Sequence, residues 1–147
     1  MASTSNKPER RPRRKPAPHR LPADLTVAVA AALDKKAVDL VVLDLRGGSA
    51  FTDAFVICTG TNVRQVQAIS DGIEAALKRV GQRPALVEGY ARAEWILLDY
   101  FDFLVHIFTP TTRTFYDLER LWGDAKQVEV AVNVPSSGTT RPAPRRS

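Results

Sequence analysis

Carboxylates are the first residues of this chain to consider for chemistry, because two of them close together can hold a divalent cation. The only Asp-x-Glu pair in the sequence is Asp117 and Glu119, inside a predicted helix. Positions two apart on a helix point about 200° away from each other, so these side chains cannot share an ion. Asp99 and Asp102 flank a predicted hairpin turn and could approach each other. Aspartate is also common at turns for its own hydrogen bonding, and the sequence favours that structural interpretation.

A phosphate site is the second candidate, at Gly60 and Thr61 between a predicted strand and a predicted helix. Free backbone N–H groups at such a junction can hold an anion. The segment has neither the lysine of a P-loop nor the glycine spacing of a dinucleotide fingerprint, so a structural turn with a helix cap is favoured. An enzyme remains the alternative hypothesis: a nucleotide-dependent transferase or hydrolase that uses Gly60 and Thr61 with Asp99 and Asp102.

Cysteine and histidine offer little further chemistry. Cys58 is the only cysteine, which excludes an intramolecular disulfide and fits a reducing compartment. It lies in an apolar run that predicts burial. His106 alternates with apolar residues along a predicted strand, and no second ligand lies at metal spacing. The sequence therefore predicts no metal, no cofactor and no catalytic centre.

Aromatic residues are more informative. Tyr100 and Phe101 occupy a predicted turn tip, where bulky apolar side chains have no local reason to be. Tyr116 falls on the polar side of a predicted helix, which indicates an interface anchor rather than packing against a loop. Trp95 lies on a strand face where core packing is favoured. With Asp102 these residues predict one exposed aromatic and acidic patch, which is typical of a binding module.

The elements that position these side chains follow from the spacing of the apolar residues. The predicted order is α-β-β-α-β-β-β-α, an α/β sandwich with a mixed five-stranded sheet and helices packed on it. Strands are predicted at residues 40–45, 54–59, 85–87, 94–100 and 103–108, and the first two helices at residues 22–36 and 63–80. The last helix carries one apolar stripe and ends at Gly123; the stripe consists of Phe115, Leu118, Leu121 and Trp122.

Charge divides the 147-residue chain into three parts. Residues 1–20 carry seven basic residues and one acid among several prolines, and residues 131–147 carry three basic residues and no acid, so both are predicted to be disordered tails. Residues 21–130 carry eleven basic and fifteen acidic residues, a formal charge of −4. An acidic domain suits a basic protein partner rather than nucleic acid. The tails could solubilise the protein or contact RNA phosphates, and no segment is apolar enough to span a membrane.

Six segments, taken in order, carry a resemblance to a known family. They are residues 36–39 (KAVD), 52–61 (TDAFVICTGT), 88–89 (EG), 95–99 (WILLD), 102–106 (DFLVH) and 116–122 (YDLERLW). On these segments the chain from about residue 25 to residue 122 resembles the ribosomal silencing factor family, also called the Iojap-related family. Two positions depart from the family pattern. Phe101 stands where glycine is often found before the second turn aspartate, and Ala54 stands where a larger residue is common.

The resemblance implies a function without catalysis. Members of the family bind a protein of the large ribosomal subunit, the fourteenth in its series, on the face that meets the small subunit. Occupying that face sterically blocks subunit association and represses translation when nutrients are limiting. The resemblance further implies a cytoplasmic protein, a homodimer when free, and a fold similar to nucleotidyltransferases without their catalytic carboxylates.

The resemblance also implies which residues face the partner. Carried over by position, they are mostly aromatic or acidic: Trp95, Asp99, Tyr100, Asp102, His106, Tyr116 and Glu119. An acidic and aromatic patch complements the charge of a basic ribosomal protein. We expect two or three of these residues to dominate the affinity, as is usual at protein interfaces.

Overall fold

The computed structural model describes residues 21–48 and 51–130, which form a mixed α/β fold around one sheet. The two predicted tails lie outside the described residues. The helices are α1 (Ala23–Asp34), α2 (Val63–Arg79), α3 (Pro110–Tyr116) and α4 (Leu118–Leu121). The strands are β1 (Val38–Asp44), β2 (Ala54–Thr59), β3 (Leu86–Glu88), β4 (Trp95–Asp99), β5 (Phe103–Phe108) and β6 (Lys126–Val128).

The six strands form the sheet in the order β3-β4-β5-β2-β1-β6. The central strands β2 and β5 run parallel, with Val56 opposite Val105, and each other neighbouring pair of these strands is antiparallel. Both central strands are buried along their whole length, which explains their continuous apolar sequences. The loop between β1 and β2 and the turn between β4 and β5 lie at the same end of the sheet, which we call the turn end.

Helices α1 and α2 cover one face of the sheet and enclose the main core. The buried side of α2 repeats every three or four residues, as the sequence predicts; it consists of Val66, Ile69, Ser70, Ile73 and Leu77. Asn62 caps this helix, because its side chain accepts the Gln65 N–H at 2.9 Å. The Gln65 side chain donates to the backbone oxygens of Lys35 and Lys36, which fixes the end of α1 against the start of α2. The two helices therefore run antiparallel, and α1 begins near the turn end.

A smaller core lies on the opposite face, beneath α3 and α4. Its buried members are Leu43, Leu45, Phe55, Ile57, Leu104, Phe108 and Leu118. Trp122 packs edge-on against Phe55, with the ring centroids 5.3 Å apart. Leu118 is the only residue of α3 and α4 that is buried, so these two short helices cover this face incompletely.

Two predictions about the elements are wrong. Among the described residues the sheet has six strands rather than five, because β6 pairs with β1 so that Lys126 lies opposite Asp44. The last helix is two helices, because Asp117 adopts a left-handed conformation with φ 46° and ψ 56° that ends α3 and precedes α4. The change of direction leaves Phe115 and Leu121 exposed by 77% and 74%, so the predicted single apolar stripe does not exist.

Candidate binding surface

A row of four aromatic rings runs from the smaller core to solvent. The Tyr116 ring contacts Trp95 of β4 at a tilt of 45° with centroids 4.5 Å apart, and Phe115 meets Tyr116 edge-on at 4.9 Å. Trp95 in turn lies 5.0 Å from the ring of Phe108, which is buried. We call Phe108, Trp95, Tyr116 and Phe115 the aromatic row. Because its inner end is fixed in the core, the row presents a rigid apolar surface at its outer end.

His106 holds the tryptophan of this row in place from below. The indole N–H of Trp95 donates to His106 Nδ1 at 3.1 Å, so the proton of the neutral imidazole lies on Nε2. The histidine is only 5% exposed, and burial lowers its pKa to about 4, which keeps the ring neutral at pH 7. The Phe55 ring meets the imidazole at 4.6 Å. A partner-facing role would require His106 to be exposed. The side chain instead lies beneath the surface.

Glu119 faces inward to an arginine. Arg113 donates from Nε to Glu119 Oε2 at 3.0 Å and from Nη1 to Thr59 Oγ1 at 2.8 Å, so its guanidinium links α3, α4 and β2. Burial is the largest single influence and raises the pKa of the Glu119 carboxyl, but the hydrogen bonding from Arg113, a backbone hydrogen bond and the charge of Arg113 together lower it below its usual value. The carboxylate is thus already paired within the chain. It holds α4 against α3 across the break at Asp117.

The two turn aspartates lie at the turn end, away from the aromatic row. Asp99 is on the same sheet face as Trp95 but four residues further along β4, about 13 Å away at the usual rise of a strand. Its carboxylate accepts the Phe101 N–H at 2.8 Å, which closes the turn, and Asp102 is exposed. Half-buried Leu97 lies between Trp95 and Asp99 on this face. One surface therefore continues from the aromatic row to Asp99, beside the exposed turn that carries Asp102.

Tyr100 is not at the tip of the turn. It continues the alternation of Ile96 and Leu98, so its side chain enters the main core on the opposite face and is only 5% exposed. Its ring stacks on Phe103 at 5.3 Å, and burial raises the pKa of its hydroxyl. Phe101 occupies the tip instead, 72% exposed and with a left-handed φ of 69°. The predicted exposed position of Tyr100 is therefore wrong.

The sequence does not predict the exposure of three apolar residues on this side of the sheet: Phe115, Leu121 and Leu86. Leu86 of β3 lies opposite Asp99 and is 45% exposed. The other two look like core residues as long as α3 and α4 are taken for one helix. The available signal is Asp117 itself, because aspartate adopts the left-handed conformation more readily than most residues.

The alternative site at Gly60 and Thr61 has its donors occupied. The Thr61 N–H donates to the Gln65 side chain at 2.7 Å, and the Gly60 N–H donates to the Phe108 oxygen at 2.8 Å. The space beside Gly60 is also filled, since a Cβ there would lie 2.9 Å from Val66 N. Within residues 21–48 and 51–130, no group of three or more His, Cys, Asp or Glu side chains is placed to hold a metal ion. The loop therefore serves as the start of α2.

Comparison with known proteins identifies the family. The sequence model of the family described as "Ribosomal silencing factor during starvation" matches residues 18–147. The chain belongs to this family. The ribosomal silencing factor RsfS of Halalkalibacterium halodurans is 42% identical over 106 residues, which cover 72% of this chain and 91% of that protein. The ribosomal silencing factor RsfS of Bacillus subtilis is 43% identical over 101 residues, which cover 69% of this chain and 86% of that protein.

The fold is shared with a solved structure. A crystal structure of a protein from Bacillus halodurans superposes with a TM-score of 0.65 at 39% identity, covering 72% of this chain and 96% of that one. The resemblance inferred from the six sequence segments is confirmed. Family membership supports a role in ribosome silencing, and with it translation regulation and binding to the ribosome. In the part of the chain that the structure describes, no helix has the length and apolar character needed to cross a membrane.

Proposed function

We propose that this protein silences ribosomes by binding protein fourteen of the large subunit with the aromatic row and the acids beside it. The observation that carries the proposal is the ring contact of Tyr116 with Trp95, with 4.5 Å between the ring centroids and the tyrosine 45% exposed. Aromatic rings that are already rigid lose little conformational freedom on binding, and for this reason they are common anchors of protein interfaces.

Charge supports a basic partner for this surface. The segment 21–130 has a formal charge of −4, and two of its acids, Asp99 and Asp102, lie at the far end of the surface that begins at Trp95. Acidic side chains at the rim of an apolar patch speed the encounter with a basic protein and fix its orientation. We assign direct partner contacts to Trp95, Tyr116, Asp99 and Asp102.

The other three candidate residues act from within the fold. His106 orients the indole of Trp95 through the hydrogen bond at its Nδ1. Glu119 holds Arg113 and so keeps α4 in place beside the aromatic row. Tyr100 packs in the main core at the end of β4. Replacing any of these three residues weakens partner binding by moving the surface, not by removing a contact.

The proposed mechanism is steric. A large-subunit protein covered on the face that meets the small subunit prevents the two subunits from joining, and this exclusion needs no catalytic group. In this proposal the protein acts in the cytoplasm, represses translation when nutrients are limiting, and forms a homodimer when free. A fold similar to that of nucleotidyltransferases, without their catalytic carboxylates, is part of the same proposal.

Tyr116→Ala tests the assignment of the aromatic row. We expect the variant to bind isolated large subunits about 30-fold more weakly, which corresponds to the ~2 kcal/mol that an interface anchor commonly contributes. Cosedimentation with large subunits measures the binding, and sucrose gradients of mixed subunits measure joining. Tyr90→Ala is the matched control, because Tyr90 is a 39% exposed tyrosine whose hydroxyl bonds Asp71 on the helix-covered side of the sheet.

Two results would contradict this proposal in different ways. Large-subunit binding by Tyr116→Ala that equals that of the Tyr90→Ala control would show that the aromatic row is not the contact. Normal subunit joining in the presence of saturating unaltered protein would reject the steric mechanism.

A further inference from the structure

The turn end carries a second exposed surface, which shares only Asp102 with the partner surface proposed above. Phe51 and Phe101 are exposed by 81% and 72%. The two loops that carry them are joined by the residues after Phe51, because Thr52 Oγ1 donates to the Phe101 oxygen at 2.8 Å and the Asp53 N–H donates to the Asp102 oxygen at 3.0 Å. We call Phe51, Asp53, Phe101 and Asp102 the tip surface. Two exposed phenylalanines brought to one place are more than the scattered apolar residues of an ordinary surface, and they indicate a contact.

The tip surface favours a cationic occupant. Burial, followed by the nearby charge of Asp102, raises the pKa of the Asp53 carboxyl, while Arg46 opposes this rise. A further cation beside Asp53 and Asp102 would reduce their mutual repulsion. Phe101 holds a left-handed φ of 69°, which strains any residue with a Cβ, although its side chain packs into neither core. Arginine suits both the carboxylates and the exposed phenylalanines of this surface, since its guanidinium pairs with carboxylates and stacks on aromatic faces.

The chain enters the described domain beside this surface. Leu21, the first described residue, packs against the main core just before α1 begins. Helix α1 then runs away from the turn end, because its last turn meets the start of α2. Residues 1–20 are therefore attached at the turn end.

We propose that the arginine-rich segment of residues 7–20 docks on the tip surface of the same chain. The segment contains seven Lys or Arg residues, four prolines and one acid, so its charge complements that of Asp53 and Asp102. Covalent attachment keeps it at an effective concentration in the millimolar range, at which weak ion pairs and stacking are sufficient. Fourteen extended residues reach roughly 45 Å, which is enough to cross the turn end. The contact belongs to the free protein, whether or not the aromatic row binds the ribosome.

Paramagnetic relaxation in the full chain tests the proposal. A nitroxide label is attached at Ser5→Cys, and the amide signals of the ¹⁵N-labelled protein are measured. The native thiol does not react, because Cys58 is fully buried and burial raises its pKa to about 12. We expect the strongest relaxation enhancement at residues 51–53 and 101–103, at the turn end of the sheet.

Charge substitutions make this test specific. In the double variant Asp53→Asn with Asp102→Asn, the enhancement at the turn end should fall roughly threefold, the change that two exposed ion pairs of ordinary strength supply. The matched control is Asp34→Asn with Asp39→Asn, which removes the same charge from two exposed acids at the opposite end of the sheet. The control should keep the full enhancement.

Three results would overturn the proposal. The first is an enhancement spread evenly over both ends of the sheet, and the second is an enhancement that both double variants reduce equally. The third is an enhancement between molecules, which is measured by mixing spin-labelled protein without ¹⁵N and ¹⁵N-labelled protein without the nitroxide. If the enhancement in this mixture matches that within one molecule, the segment docks on a second copy rather than on its own chain.

Discussion

Lowering the pH from 7.5 to 4.5 charges the imidazole of His106 in the unfolded chain but leaves it largely neutral in the folded one. Burial lowers the pKa of His106 to about 4, against 6.5 for an exposed histidine. The unfolded chain therefore binds more protons between these two values, and stability falls as the pH falls through this window. The gap between 6.5 and about 4 corresponds to about 3 kcal/mol, of which about 2–3 kcal/mol is lost by pH 4.5.

Urea unfolding at a series of pH values measures this effect, with tryptophan fluorescence as the signal. Carboxylates titrate in the same range, so the useful quantity is the difference between the unaltered protein and His106→Gln. Glutamine can accept the Trp95 indole N–H and cannot gain a proton. Between pH 7.5 and pH 4.5, we expect the free energy of unfolding of the unaltered protein to fall by about 2–3 kcal/mol more than that of His106→Gln. His19 is common to both proteins and cancels in the difference.

Parallel curves for the two proteins over this pH range would refute the reasoning. So would an NMR titration in which the His106 ring of the folded protein gains its proton near pH 6.5. Either result would mean that water reaches the His106 ring in the folded protein and that its surroundings do not exclude charge.

Two further changes test the framework around the aromatic row. Arg113→Met leaves the partly buried carboxylate of Glu119 without its donor, and we expect a loss of about 2–3 kcal/mol in urea unfolding. Adding Glu119→Gln should restore part of this loss, and a double variant no more stable than Arg113→Met would contradict the pairing. Gly89 and Gly81 both have a left-handed φ, of 82° and 86°, but only at Gly89 would a Cβ collide with the backbone oxygen of Trp95. Gly81→Ala should therefore cost about 1 kcal/mol of unfolding free energy and Gly89→Ala clearly more, and equal losses would argue against that collision.

The parts of the fold that the sequence predicts well are those with a strong apolar pattern. The central strands at 54–59 and 103–108 have the predicted bounds, and α2 ends one residue before its predicted end. These elements are buried on a regular period, so the pattern and the burial agree. The missing sixth strand, Lys126–Val128, consists of two polar residues and one valine at the edge of the sheet. This segment is a strand because it pairs with β1, and no local sequence pattern predicts it.

The break between α3 and α4 shows where apolar periodicity fails. A helical wheel over residues 115–122 puts four apolar side chains on one side, which favours a continuous helix. A single left-handed residue, Asp117, rotates the second half, so that Leu118 is buried while Phe115 and Leu121 are exposed. Helix propensities summed over the segment do not reveal that one residue adopts a left-handed conformation, although that conformation decides which side chains reach solvent.

The candidate surface is predictable as a set of residues but not as an arrangement. Trp95 and Tyr116 do meet, as a patch of aromatic residues requires. The roles of His106 and Glu119 depend on Trp95 and Arg113, partners that the fold brings together across 11 and 6 positions of sequence. In the proposed function, these two residues therefore act on partner binding through Trp95 and Arg113 and not through direct contact.

The location of the aromatic row follows from how unequally the two faces of the sheet are covered. Helix α2 alone buries five side chains, whereas α3 and α4 together bury only Leu118. Two short helices joined by a left-handed residue do little to stabilise the core, and they leave Phe115, Tyr116 and Leu121 exposed to water. Sequences usually keep such departures from good packing where a surface must stay open for another molecule. Under the proposed function, a partner, and not a third long helix, covers this face of the sheet.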